Sequence, residues 1–350
     1  MSSKKHFVVL DGLRGVAALA VLIFHFAEII FPDLADNFIA HGFLAVDFFF
    51  CLSGVVIAYA YQNRIANMGI GDFLVGRLIR LHPLVVLGSL LGLFAFLFDP
   101  IASYQASYSF GEKFVIFMAS ILMIPYPVME ERYFNLFSLN APAWSLFWEY
   151  VINIFYVLVL FRLSRYSLMA LLLIASGILA YVSYSSGNLL GGWNGETFWH
   201  GGARVLYSFT AGMILFRFNW IIQNKLGFIG LSVLLVLAFI LPYNEWSWAT
   251  ELLIVLFYFP LLVSLGAGTL ISQSLKSICE FSGNISYPLY TTHYCVMWLF
   301  GGYYASYAPS GITLIGVVVI GVILLISLAY FAFRFYDLPL RKYLNAKRSV

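Results

Sequence analysis

Two ionisable side chains in one apolar run raise the question of chemistry before any other part of the chain does. Arg14 and His25 stand eleven residues apart in VVLDGLRGVAALAVLIFHFAEIIF, the stretch from Val8 to Phe31. Eleven residues make about three helical turns, so both side chains face the same way, roughly 16 Å apart along the axis. The run is long enough to cross a bilayer, where such groups are expensive and mark pathways or sites. A guanidinium fork suits phosphate, and an imidazole suits proton transfer near neutral pH. The rest of the chain is expected to build a site around that face.

Other costly residues extend the set. Asp47 lies in GFLAVDFFFCLSG and Glu149 in APAWSLFWEY, both within apolar runs. GRLIRLHP places Arg77 and Arg80 three residues apart, on one helical face, where they could meet a phosphorylated ligand or simply anchor the membrane edge. GNISYPLYTTHY carries Ser286, Tyr290 and His293 as a polar stripe at helical spacing. That stripe reads first as packing glue between membrane helices, with His293 an outside candidate for the site. Trp144 and Ser145 join His293 as candidates for substrate contact. Cys51, Cys279 and Cys295 form neither a CxxC pair nor a disulfide framework, and the six His show no HxxxH or HExxH spacing, so no metal is expected.

The elements that must position these groups are membrane helices. Charged residues are 10% and apolar types 62% of 350 residues, the composition of a polytopic membrane protein, and no nucleic-acid partner is expected. Ten apolar spans are expected, near 8–31, 41–61, 81–98, 141–161, 167–186, 200–216, 226–242, 250–268, 285–304 and 312–333. An eleventh run, 114–125, is about 18 Å long at 1.5 Å per residue, too short for the ~30 Å hydrocarbon layer, and reads as re-entrant or interfacial. Charge placement agrees with ten spans. With a cytoplasmic start, Lys4, Lys5, Arg77, Arg80, Arg162, Arg165, Arg217, Lys225 and the carboxy-terminal cations all fall inside, leaving Lys113, Arg132 and Arg204 outside. Both termini are then cytoplasmic, and residues 99–140 form a long outer excursion rich in Tyr. The chain reads as one all-α domain, 1–350, with no appended soluble domain.

In this topology His25, Asp47 and Glu149 lie at one depth, roughly 9–12 Å below the outer surface at 1.5 Å per residue. A carboxylate beside an imidazole holds one tautomer and raises its basicity, as a general base requires. Glu28, three residues after His25, is a rival partner. The reading leaves Asp47, Glu149 and Glu28 all open as the partner of His25.

These motifs resemble the acyltransferase-3 family of bacterial integral membrane O-acyltransferases. The matching pieces are LDGLRGVAALAVLIFHF, VDFFFCLSGVVIA, RLIRLHP, WSLFWEYVINIFY, ISYPLYTTH and YDLPLRKYL, which run in family order along essentially the whole chain. The resemblance implies transfer of an acyl group, usually acetyl, from cytosolic acyl-CoA (acetyl-CoA above all) to a hydroxyl of an extracytoplasmic or lipid-linked carbohydrate. It implies a multi-pass location in the bacterial cytoplasmic (inner) membrane. By motif, His25 takes the catalytic role, Arg14, Arg77 and Arg80 the donor side, and Glu149 a supporting role. A pantetheine arm would then run along the Arg14 to His25 face to bring its thioester to His25, with direct transfer or an acyl-enzyme on His25 or Ser145 as routes. A transporter or flippase of a glycan or anionic substrate is the competing class, since it too would carry charges within a helical membrane body. The acceptor, the oligomeric state and the acyl chain length stay open.

Overall fold

A computed structural model describes residues 7–62 and 64–348, so Lys4 and Lys5, counted above among the cytoplasmic charges, lie outside the described residues. Fourteen α-helices and no strand occur among the described residues. In chain order they are α1 (Val8–Ile30), α2 (Ala45–Tyr61), α3 (Ile70–Leu97), α4 (Phe110–Ile121), α5 (Ala143–Leu158), α6 (Arg165–Ser186) and α7 (Phe198–Arg217). There follow α8 (Gly227–Phe239), α9 (Ser247–Leu253), α10 (Phe259–Gly268), α11 (Gln273–Thr292), α12 (Tyr294–Tyr307), α13 (Gly311–Phe331) and α14 (Leu338–Arg348). Short π-helical stretches, Ile254–Tyr258 and Ala332–Asp337, join α9 to α10 and α13 to α14.

Seven stretches among the described residues are long and apolar enough to cross a membrane. The expected spans at 200–216, 226–242 and 285–304 fall short of that measure for three separate reasons. The helix α7 carries His200, Arg204 and Arg217; α8 has only 13 residues; and the last span is divided at His293. The division has a local cause. Pro288 removes a backbone donor, and the hydroxyls of Thr291 and Thr292 both donate to the Pro288 carbonyl, at 3.1 and 2.8 Å. A helix loaded this way bends, and His293 sits at the bend. The short run near 114–125 forms α4, a 12-residue helix packed on α3 and started by a capping box in which Ser109 and Glu112 bond each other's backbone.

The helix α1 is central because two separate apolar clusters need it. Leu13, Ala17, Val21 and Phe24 pack with α2, α7 and α10, while Ala18, Leu22 and Phe26 pack with α11, α12 and α13. Its remaining polar positions fall against α11. Backbone contact fixes the neighbours closely: a Cβ added to Gly15 would meet Ser282 at 2.4 Å, so α1 and α11 touch with almost nothing between them. The pair α2 and α7 is tighter still, since a Cβ on Gly54 would lie 2.1 Å from the Phe209 carbonyl and one on Gly212 1.9 Å from that of Cys51. Small residues at crossing points let membrane helices approach in this way.

Candidate active site

Two polar assemblies lie along the seam between α1 and α11, one at each end. Near one end the Arg14 guanidinium donates to Asp11 at 3.1 Å, to the Gly283 carbonyl at 3.0 Å and to the Ser286 hydroxyl at 3.1 Å. Here a cavity of about 830 Å³ opens between α1, α2, α3, α11 and α14, a size suited to a small-molecule ligand. Its charged lining comprises Arg14, Arg80, Arg341 and Lys342, with Asp11 and Glu280. Arg80 rests over the Tyr287 ring, 5.9 Å from its centroid, and forms no hydrogen bond or salt bridge among the described residues.

At the other end lies His25. Its Nδ1 is 2.6 Å from Glu28 Oε1, and a carboxylate oxygen accepts, so the ring proton is on Nδ1 and the neutral ring offers an Nε2 lone pair. Of the three acids left open by the sequence, Glu28 is the one bonded to His25. His293 stacks on the His25 ring, with centroids 5.2 Å apart and planes 22° from parallel, and Tyr294 meets His25 edge-on at 5.0 Å. The His293 Nδ1 donates to the Leu289 carbonyl at 3.0 Å, while its buried Nε2 has no partner. Between the two ends, Tyr290 donates to the Ser145 hydroxyl at 2.7 Å, because Ser145 spends its own proton on the Pro142 carbonyl at 2.9 Å. The stripe Ser286, Tyr290 and His293 therefore meets Arg14, Ser145 and His25 in turn. The sequence reading took the stripe for helix glue first; the bend after Thr292 turns its last member onto His25.

Other expected groupings dissolve. Asp47 is fully buried and belongs to Arg204, whose Nε lies 3.1 and 3.2 Å and Nη2 2.6 Å from its carboxylate oxygens. A depth count places residues along an axis and says nothing of direction around it, and Asp47 points from α2 toward α7. Trp144 lies 5.1 Å beneath the Arg204 guanidinium and packs on Gly192 and Gly201, away from His25. Glu149 accepts from Ser53 at 2.5 Å, Arg77 at 3.0 Å and Asn153 at 3.2 Å, so it ties α2, α3 and α5 together on the arginine side. The physical reason is the length of α3. It begins at Ile70, well before the apolar run at Leu81, and Arg77 stands inside it. Arg77 and Arg80 consequently part company, the first toward Glu149 and the second toward the cavity. The face between Arg14 and His25 is not an open track either, since Ala17, Ala18 and Val21 on it are all buried by neighbours.

Reasoning from sequence also missed members of this site. Arg341 and Lys342 stood in YDLPLRKYL and were counted only as carboxy-terminal charges; their approach to Arg14 and Arg80 depends on a helix that returns to the far end of the chain. Apart from both assemblies, Arg132 is buried between the Phe96 and Trp298 rings, at 4.9 and 5.1 Å, and donates to the Ser138 carbonyl at 2.6 Å. Burial pushes that guanidinium down to about 10.

Comparison with known proteins points the same way. The profile of a family described as an acyltransferase domain, the acyltransferase-3 family, matches residues 7–334. Protein 2 in picA locus of Rhizobium radiobacter is 37% identical over 166 residues, 44% of this chain and 83% of that protein. O-acetyltransferase OatA of Staphylococcus aureus is 26% identical over 378 aligned residues, covering 98% of this chain and 58% of OatA. A putative O-acetyltransferase of the same species is 26% identical over 370 residues, 95% of this chain and 57% of its own length. The chain thus spans little more than half the length of these two O-acetyltransferases. No solved structure matches it.

Proposed function

Because the chain belongs to the acyltransferase-3 family, we propose that it is a membrane O-acyltransferase that moves an acetyl group from acetyl-CoA to a carbohydrate hydroxyl on the far side of the bacterial cytoplasmic membrane. Ten crossings with both termini in the cytosol would put the basic cavity on the cytosolic side and His25 toward the outside. In that frame Arg14 and Arg80 hold the phosphates of the donor, and Arg77 with Glu149 fixes the wall beside them.

His25 is the general base. Glu28 holds its tautomer, and Nε2 takes the proton of the acceptor hydroxyl as the oxygen attacks the thioester carbonyl carbon. The tetrahedral oxyanion then collapses, the carbon–sulfur bond breaks, and the coenzyme A thiolate recovers the proton from His25. His293, stacked on that ring with a bare Nε2, accepts a second hydrogen bond from the acceptor. The observation that carries the reading is the arrangement of the α1 and α11 seam, with a cation-lined cavity at one end and an imidazole pair at the other. Direct transfer is favoured over an acyl-Ser145 intermediate because the Ser145 hydroxyl proton is committed to a backbone carbonyl and no imidazole is bonded to it. The arm of the donor has to part the seam near Ala17 and Ala18, which are covered here.

The test is glycan mass spectrometry on cells making the wild-type chain or His25→Ala at equal membrane levels. Wild-type cells gain the mass of one acyl group on a surface or lipid-linked glycan, and the variant cells do not. A variant that acylates normally removes His25 from the mechanism.

A further inference from the structure

The charges around the cavity do not balance. Arg14 is paired with Asp11, Arg341 with Asp337 at 2.5 Å, and Glu280 lies 3.9 Å from Lys276. Arg80 and Lys342 line the same cavity and form no salt bridge among the described residues; Arg80 feels the charge of Asp337, a carboxylate already held by Arg341. Arg341 adds a buried Nε with no hydrogen bond, although its fork is already oriented by Asp337. Two cations without a salt bridge and an unsatisfied guanidinium nitrogen around one cavity describe a demand for anionic oxygen.

These groups are placed at two levels. Arg14 and Arg80 belong to α1 and α3 in the body of the bundle, whereas Arg341 and Lys342 belong to α14, which closes the rim. The rim helix is held in place twice, by Arg341 to Asp337 within its own turn and by Arg348 to Asp72 at the start of α3, at 3.1 Å. Lys342 needs neither contact and is left exposed at the edge. A phosphate monoester carries about −1.5 to −2 charges and three terminal oxygens, more than any one diester oxygen pair. An ammonium point charge next to a preorganised fork suits that group.

Resting on the donor-site reading above, we propose that Lys342 and Arg341 form a phosphate-monoester subsite at the rim. It selects an acyl donor whose nucleotide end bears a ribose phosphate monoester, as coenzyme A does. An acyl-phosphopantetheine held on a carrier protein, whose only phosphate is a diester, leaves the subsite empty. The subsite makes donor choice a property of α14, separate from the binding of the diphosphate by Arg14 and Arg80.

Equilibrium binding to the full chain, purified in zwitterionic nanodiscs, tests this with coenzyme A and 3′-dephospho-coenzyme A as probes. Wild type is expected to prefer coenzyme A by about tenfold or more, as charge-assisted contacts to one extra phosphate allow. Lys342→Ala, which breaks no hydrogen bond or salt bridge among the described residues, should bring the two probes within twofold of each other while leaving dephospho-coenzyme A binding unchanged. Lys342→Arg should keep most of the preference. Equal binding of both probes by wild type, or loss of both alike in Lys342→Ala, overturns the subsite and leaves the donor reading intact. Failure of wild type to bind either probe overturns both readings. An anionic headgroup is the other source of such a phosphate; if phosphatidylglycerol added to the nanodiscs displaces coenzyme A from wild type and from Lys342→Ala equally, the subsite does not exist.

Discussion

The imidazoles of His25 and His293 lie face to face, 5.2 Å between centroids, and each has its Nδ1 tied to an acceptor on its own helix. With each Nδ1 so occupied, the Nε2 atoms are the two ring nitrogens left to meet a ligand, and only one is needed to deprotonate a hydroxyl. Replacing His25 by Ala should lower acyl transfer about 10²- to 10⁴-fold, the usual range for a positioned base, with unchanged donor binding. Glu28→Gln keeps a neutral acceptor beside Nδ1 and should cost about tenfold, with a changed pH profile of turnover as the sign that it acts through the ring. His293→Gln should raise KM for the acceptor more than it lowers kcat. Steady-state kinetics on purified protein separates the three.

Ser145 offers a sharper test of the route. Ser145→Ala removes the acceptor of the Tyr290 hydroxyl and should reduce the rate only a few-fold, about the loss of one neutral hydrogen bond. Incubation with radiolabelled acetyl-CoA and no acceptor should leave no label on the protein. A stable acylated band that vanishes in the Ser145 variant would replace direct transfer with a two-step route.

The Asp47 and Arg204 pair is expected to matter for folding and not for chemistry. Both side chains are buried, and removing one leaves the other's charge uncompensated. Asp47→Ala and Arg204→Ala should each destabilise the protein by about 3–5 kcal/mol. The double variant Asp47→Leu with Arg204→Met should recover much of that loss. Thermal unfolding in detergent reads the difference, and donor binding by the folded fraction should be normal.

Acid should loosen α4 first. The backbone amide of Ser109, then its hydroxyl, donates to Glu112 and holds that carboxyl below its usual range. A depressed carboxylate contributes stability at pH values above its unfolded pKa, about 4.3, and that contribution disappears as pH falls through the lower folded value. Hydrogen exchange at residues 110–121 should therefore accelerate below about pH 4, relative to α3, and Ser109→Ala should show the faster exchange already at neutral pH.

Backbone contact between α2 and α7 makes another clear case. Gly54→Leu or Gly212→Leu places a side chain where a carbonyl oxygen already lies about 2 Å from the added Cβ, so the helices must separate. Both variants should fail to accumulate, whereas Gly177→Leu, which faces open space on α6, should accumulate normally. Membrane-fraction immunoblots decide it.

Much of this was legible one helix at a time. The shared face of Arg14 and His25 follows from spacing alone, and the stripe on α11 follows from the same periodicity. What failed was direction between helices. Depth brought Asp47 and Glu149 level with His25, but rotation about α2 turned Asp47 to Arg204, and the early start of α3 drew Glu149 to Arg77. Glu28 could be seen as a candidate because an i, i+3 pair needs no tertiary knowledge. Arg341 and Lys342 could not, since nothing local says that α14 folds back over the mouth of a cavity formed by α1 and α3.

Arg14 and Ser286 are separated by 272 positions along the chain, yet one hydrogen bond joins them. Translation adds roughly 5–20 residues per second, so α1 waits on the order of tens of seconds in the membrane before α11 exists to receive it. During that interval His25 has no stacked partner and the cavity has no rim. The nascent chain therefore has neither the rimmed cavity nor the imidazole pair until synthesis is nearly finished. Both assemblies are late products of synthesis, because the first helix and one of the last lie along the same seam.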